Sequence, residues 1–155
     1  SGEALNACIQ QLVELNKSAS EIFQKYEIHA VTDITGFGLA GHGLEMAKGS
    51  EVSLNIDVDS LPIFEEAIHM YEKGITTGAN SSNRKLVESD IHFKKSLSSF
   101  KQEILFDPQT SGGLLASVPQ NQSKEILKEL HHSGINAAKV IGEVLPFKKN
   151  HIHFI

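Results

Sequence analysis

The sequence predicts an α+β fold in which a mixed β-sheet is covered by helices. Three observations carry that prediction. Apolar residues recur at helical spacing from Leu5 to Tyr26, they alternate with polar ones from Val52 to Val58, and no repeat or low-complexity tract interrupts the succession of helix-like and strand-like segments. At 155 residues the chain is about one domain long and can bury a core.

In order, residues 3–26 set Leu5, Cys8, Ile9, Leu12, Leu15, Ala19, Ile22, Phe23 and Tyr26 near one face, as one helix or as two with a break near Ser18-Ala19-Ser20. Residues 28–31 read as a short buried strand and residues 39–48 as a helix that ends at Gly49. Over residues 51–59, Val52, Leu54, Ile56 and Val58 alternate with polar neighbours, the pattern of a strand with one buried face. Pro62 then opens a helix through Tyr71, because proline is tolerated in a first turn. Residues 74–89 are rich in Gly, Ser, Thr and Asn and read as a loop of functional length. Residues 91–100 fit a short helix or a strand equally. Two strands, 103–106 and 114–118, are expected to flank a loop at 107–113. An amphipathic helix over 122–132 stops at Ser133-Gly134, and strands at 138–144 and 151–155 close the chain.

Charge narrows the partners. Fourteen basic against 19 acidic residues give a formal net charge of −5, with no basic block. Nucleic acid is therefore not an expected partner, since duplex binding rests on clustered Lys and Arg. The same balance argues against an anionic membrane surface. No apolar run approaches the ~20 residues of a membrane helix, and no basic-then-apolar leader is seen, so a cytoplasmic setting is expected. Cys8 is the single cysteine, which leaves no internal disulfide; on its apolar helical face it reads as a small buried hydrophobe.

The chemistry concentrates in Thr32-Asp33-Ile34-Thr35-Gly36-Phe37-Gly38-Leu39-Ala40-Gly41-His42. Glycines here lie between a strand end and a helix start, where unpaired N–H groups and the positive end of the macrodipole favour an anion. Gly36 and Gly38 allow close backbone approach, Thr32 and Thr35 add hydroxyls for capping or for phosphate oxygens, and Asp33 offers the hard oxygen that Mg²⁺ takes. An ordinary Gly-rich turn with a Thr cap has the same composition. A second string, Asp107-Pro108-Gln109-Thr110-Ser111-Gly112-Gly113, can present successive N–H groups to an anion or can be a tight connection relieved by glycine.

These two strings, within the longer runs Val31 to His42 and Leu105-Phe106-Asp107-Pro108-Gln109-Thr110-Ser111-Gly112-Gly113-Leu114-Leu115, and with Leu15-Asn16-Lys17 and the segment Gly74-Ile75-Thr76-Thr77-Gly78-Ala79-Asn80-Ser81-Ser82-Asn83, resemble the C-terminal domain of the selenophosphate synthetase (selenide, water dikinase) family. That family belongs to a superfamily with aminoimidazole ribonucleotide synthetase. The resemblance runs over essentially the whole chain and implies one domain, residues 1–155, with partial ferredoxin-like topology. It implies an enzyme that makes selenophosphate, AMP and phosphate from selenide, ATP and water, with Mg²⁺ as cofactor. It assigns Asp33 to the metal, and it supports a nucleotide-facing reading of Thr32, Thr35, Gly36, Gly38, His42, Thr110, Ser111, Gly112 and Gly113 without saying which of their atoms touch the ligand. No catalytic residue falls on this chain. The catalytic lysine, the cysteine or selenocysteine and the remaining metal aspartates belong to an N-terminal domain, the implied partner, so the isolated domain is expected to be inactive and the complete enzyme a homodimer. The start at Ser1-Gly2-Glu3, without methionine, suggests a piece of such a chain. Two rival readings stand beside this one: a non-catalytic nucleotide-binding or interaction module of the same fold, and a kinase or synthetase with another acceptor.

The histidines suggest no zinc site. His151 and His153 share one strand face, but no third ligand recurs at zinc-like spacing. His42 reads as packing or hydrogen-bonding within its helix, with a phosphate contact as the alternative.

Overall fold

The computed structural model describes residues 2–155. Among these residues seven helices and six strands follow one another: α1 (Gly2–Val13), α2 (Lys17–Phe23), β1 (Ala30–Asp33), α3 (Gly38–Gly49), β2 (Val52–Ile56), α4 (Glu65–Glu72), α5 (Asn80–Val87), β3 (Ile91–Phe93), α6 (Ser99–Ile104), β4 (Leu114–Ser117), α7 (Ser123–His132), β5 (Gly142–Pro146) and β6 (Ile152–Phe154), with a 3-10 turn at Val58–Ser60. The strands make two sheets. β3, β6, β2 and β5 form a four-stranded mixed sheet in that order, parallel between β3 and β6 and between β6 and β2, antiparallel between β2 and β5. β1 and β4 form a separate antiparallel ribbon. The predicted class, α+β with a mixed sheet covered by helices, is the one observed.

Alternation puts Leu54 and Ile56 of β2, Ile152 and Phe154 of β6 and Ile91 of β3 on one sheet face, where they meet Ala40, Leu44 and Ala47 of α3, Val87 of α5, and Leu105 and Phe106 after α6. Phe93 stacks on Phe154 at 5.4 Å and meets the edge of Phe106 at 6.2 Å. A smaller cluster joins Ile22 of α2 to Ile126 and Leu130 of α7. It anchors the helix pair beside the two-stranded ribbon.

Several boundaries differ from expectation, each for a physical reason. The first helical segment breaks at residues 14–16 rather than at Ser18-Ala19-Ser20. α1 buries none of its residues, and Cys8 is exposed rather than buried. The strand expected at 28–31 lies two residues later. It is half exposed because only β4 pairs with it and no second layer covers Val31. Proline at position 62 does not start its helix; the chain stays extended until Phe64 caps α4. The strand expected at 103–106 is instead the end of α6 and the turn after it, with Leu105 and Phe106 turned wholly into the core. The last antiparallel strand begins at Gly142, not at 138, and runs through Pro146, which an edge strand tolerates. Within the expected loop at 74–89 stands a full helix, α5.

Candidate functional site

The two glycine strings, some 70 residues apart in sequence, are assembled into one structure. In the ribbon, Asp33 pairs with Leu114 and Thr32 with Leu115, which brings the start of the first string to the end of the second. Beyond the ribbon the Ile34 N–H donates to the Gly113 carbonyl at 3.0 Å, and the Gln109 N–H donates to the Thr35 carbonyl at 3.0 Å. From the other side Asn16 donates its amide to the Gly112 carbonyl at 3.0 Å.

Two glycines make this contact possible. Gly38 has φ +68°, and a Cβ there would lie 2.9 Å from the backbone of Leu105, Phe106 and Asp107. A Cβ on Gly112 would lie 2.0 Å from the Ile34 carbonyl oxygen. Both therefore admit peptide: at Gly38 the close approach is to the chain's own backbone, and at Gly112 the glycine relieves a tight connection, one of the two readings of that string. The start of α3 is used in the same way: the Gly38 N–H donates to the Thr35 carbonyl at 3.0 Å and the Ala40 N–H to the Leu105 carbonyl at 2.9 Å. These N–H groups are satisfied by the chain itself. Gly36 differs, being exposed with nothing within 4 Å of a Cβ position.

α5 braces the assembly. Asn80, Asn83 and Val87 are its buried residues, at the i, i+3, i+7 spacing of one helix face. Asn83 donates to the Gly36 carbonyl at 2.9 Å and to the Phe106 carbonyl at 3.0 Å, so one side chain ties the first string to the residue that leads into the second. Asn80 donates to the Glu103 carbonyl at 2.8 Å while its oxygen accepts from the Thr77 hydroxyl at 2.6 Å and from Tyr71 at 3.3 Å. Tyr71 also donates to Asp107 Oδ1 at 2.6 Å, and Gln109 donates to Asp107 Oδ2 at 2.9 Å. Burial first, and then the bond to Asp107, hold the Tyr71 phenol well above its ordinary range. Sequence reasoning placed Asn80 and Asn83 in a loop and missed Tyr71 altogether. The spacing of the two asparagines and Val87 was the available signal.

The remaining candidates lie at the surface or beneath it. Thr32 and Asp33 line an open groove of about 710 Å³ between α2 and β1, shared with Phe23, Tyr26, Val31 and Leu114. The Asp33 side chain is exposed, and among the described residues its carboxylate has no hydrogen-bond or ion-pair partner. Thr110 is exposed on the second string and Ser111 half-buried. His42 is buried, its imidazole 3.0 Å from Thr35 Oγ1 through Nε2 and 3.2 Å from Glu45 Oε2 through Nδ1. Among the described residues no group of three His, Cys, Asp or Glu is arranged to hold a metal. Asp33 thus fits one corner of a Mg²⁺ site and not a whole one, since that ion takes several oxygens. His151 and His153, paired on one face in the sequence reading, turn their rings to different carbonyls, of Val52 and Lys148. Also among the described residues, no helix is long and apolar enough to cross a membrane.

Residues 6–154 match the family described as AIR synthase related protein, C-terminal domain. The chain is 44% identical over 144 residues to the selenide, water dikinase of Clostridioides difficile (strain 630), covering 93% of this chain and 41% of that protein. It is 42% identical over 137 residues to selenide, water dikinase 2 of Peptoclostridium acidaminophilum, covering 88% and 39%. The selenide, water dikinase of Bdellovibrio bacteriovorus (strain ATCC 15356 / DSM 50701 / NCIMB 9529 / HD100) is 46% identical over 122 residues, covering 79% and 34%. The matched regions span 34–41% of these relatives' lengths.

Proposed function

The chain belongs to the AIR synthase related protein family, as its C-terminal domain, and is homologous to the selenide, water dikinases, and from that premise we propose that it forms one wall of the Mg-ATP site of a selenophosphate synthetase. The complete protein would convert selenide, ATP and water into selenophosphate, AMP and phosphate. One observation carries the reading: the two strings that resemble the family are one spatial unit, tied by the Asp33–Leu114 register and by the two bonds of Asn83. An assembly held that firmly, with Asp33, Gly36 and Thr110 left exposed along it, has the rigidity that phosphoryl transfer requires of a positioning surface.

Each residue has a part. Asp33 would offer its unpartnered carboxylate to Mg²⁺, which supplies charge neutralisation to the phosphates when bound. Thr32, Thr35 and Gly36 would face the nucleotide from the first string, Thr110 and Ser111 from the second. Gly38, Gly112 and Gly113 would serve through the backbone contacts that shape the wall, and His42 through its hold on Thr35. The missing donors, the nucleophile and the catalytic lysine would come from an N-terminal domain of a cytoplasmic homodimer.

Calorimetric titration of Mg-ATP into this chain and into the complete protein tests the reading. Binding by the complete protein alone would agree with a shared site, and binding by neither would overturn it. Release of ADP without AMP by the complete protein would replace selenide with another acceptor.

A further inference from the structure

Resting on the nucleotide-site reading above, we propose that Thr35 turns a hydrogen-bond acceptor, not a donor, toward its ligand, and that His42 is the positioning residue responsible. Three side chains in a row, Glu45, His42 and Thr35, share two hydrogens between them. Glu45 Oε2 lies 3.2 Å from His42 Nδ1, and a carboxylate only accepts, so the imidazole hydrogen sits on Nδ1. In its neutral form the imidazole has only that one N–H, which leaves Nε2 as a lone pair; the doubly protonated ring would donate from both nitrogens and leave the Thr35 hydrogen free. Thr35 Oγ1, at 3.0 Å from Nε2, must then donate its single hydrogen inward. Only lone pairs remain on the side of the hydroxyl that a ligand can reach.

The surroundings preserve this arrangement. His42 is 8% exposed, so water does not compete freely for either nitrogen. The Phe37 ring lies 5.6 Å from the imidazole, tilted by 44°. Gly41 leaves the room for it, since a Cβ there would fall 2.4 Å from Cβ of Phe37. A phosphate oxygen is itself an acceptor and finds no hydrogen at Thr35. The ligand group that matches has a hydrogen to give: a water in the shell of a bound divalent cation, or a ribose hydroxyl. On this proposal Thr35 meets such a group rather than a phosphate oxygen.

Long-range ¹H–¹⁵N correlation spectra of the imidazole nitrogens in the ligand-free protein test the polarity directly, with His42→Gln removing the assigned signals. A proton on Nδ1 and none on Nε2 is expected; a proton on Nε2 overturns the proposal whether or not nucleotide binds. Calorimetry on Thr35→Val and Thr35→Ser in the complete protein tests the ligand, with Mg-ATP, magnesium-free ATP and magnesium-free tripolyphosphate as probes. Thr35→Val should bind Mg-ATP about tenfold more weakly, and Thr35→Ser, which keeps the hydroxyl, should recover most of that loss. Loss confined to Mg-ATP identifies the metal-bound water, and loss for both forms of ATP identifies the ribose. Equal loss for tripolyphosphate, or no loss at all, overturns the proposal. Failure of the unsubstituted protein to bind any probe overturns the nucleotide reading instead, and the spectra still decide the polarity of Thr35.

Discussion

Gly38 and Leu105 meet backbone to backbone. The Leu105 carbonyl oxygen lies 2.9 Å from the position a Gly38 Cβ would occupy, and the same carbonyl accepts from the N–H of Ala40 at 2.9 Å. The start of α3 is thus closed by the chain 65 residues downstream in sequence. Gly38→Ala would add a methyl to rigid peptide at a φ of +68°, a conformation that costs a side chain about 1–2 kcal/mol before any clash. A loss above about 2 kcal/mol is expected in urea unfolding, with Asp33 and Thr35 displaced from the second string.

Gly36→Ala is the contrasting variant. No atom lies within 4 Å of its Cβ position and its φ is not positive, so the stability change should stay within about 0.5 kcal/mol. Under the proposed function this variant of the complete protein should still lose nucleotide affinity, because the added methyl faces the ligand. Unchanged affinity would remove Gly36 from the site.

Asn83→Ala takes a donor from two carbonyls at once, those of Gly36 and Phe106, in a setting where Asn83 is 5% exposed. Leaving both unpaired is expected to cost on the order of 3 kcal/mol, read as a lowered urea midpoint at constant slope. Asn83→Asp should cost more, since a carboxylate would face two carbonyls with nothing to donate.

Asp33→Asn should leave the unfolding midpoint unchanged, because among the described residues the exposed carboxylate has no partner to lose. In the complete protein it should raise the magnesium concentration needed for half-maximal turnover several-fold. Unchanged magnesium dependence would take Asp33 out of the mechanism.

Stability should fall at both ends of the pH range. The Ser60 hydroxyl lowers Asp57 below its ordinary 3.8, the Lys48 ammonium and then Ser89 lower Asp90 below 3.8, and Lys25 and then Tyr26 lower Glu129 below 4.5. Carboxylates lowered on folding stabilise the protein above their ordinary values, and that contribution is lost as pH falls through the folded ones. The urea midpoint should therefore hold down to about pH 5 and decline below it. At the alkaline end, the bond to Glu129 and then burial push Tyr26 from 10.0 to about 12, and Tyr71 also lies well above its ordinary range. Their contribution is full below pH 10 and is lost as pH rises toward the folded values. Ultraviolet titration should accordingly find neither of the two tyrosines half ionised at pH 10.

The chain's own residues settled the class of fold and the place of the chemistry. Alternation from Val52 to Ile56 requires a half-buried strand whatever surrounds it, and the glycines between Thr35 and Gly41 require a turn into a helix. Helical periodicity marked α3 and α7 for the same reason: their buried residues are local in sequence. What the tertiary structure decided were elements whose partners are distant. Leu105-Phe106 is apolar enough for a strand, and only the pocket left by α3 and α5 makes it the buried turn after α6. Residues 80–87 look like a loop because their buried face is made of asparagines. Those become helical once Gly36, Glu103 and Phe106 present carbonyls to them. The glycines divided in the same way, since a missing Cβ shows that something comes close but not what. At Gly38 and Gly112 the neighbour proved to be the chain's own peptide backbone, a long-range contact that no local pattern encodes.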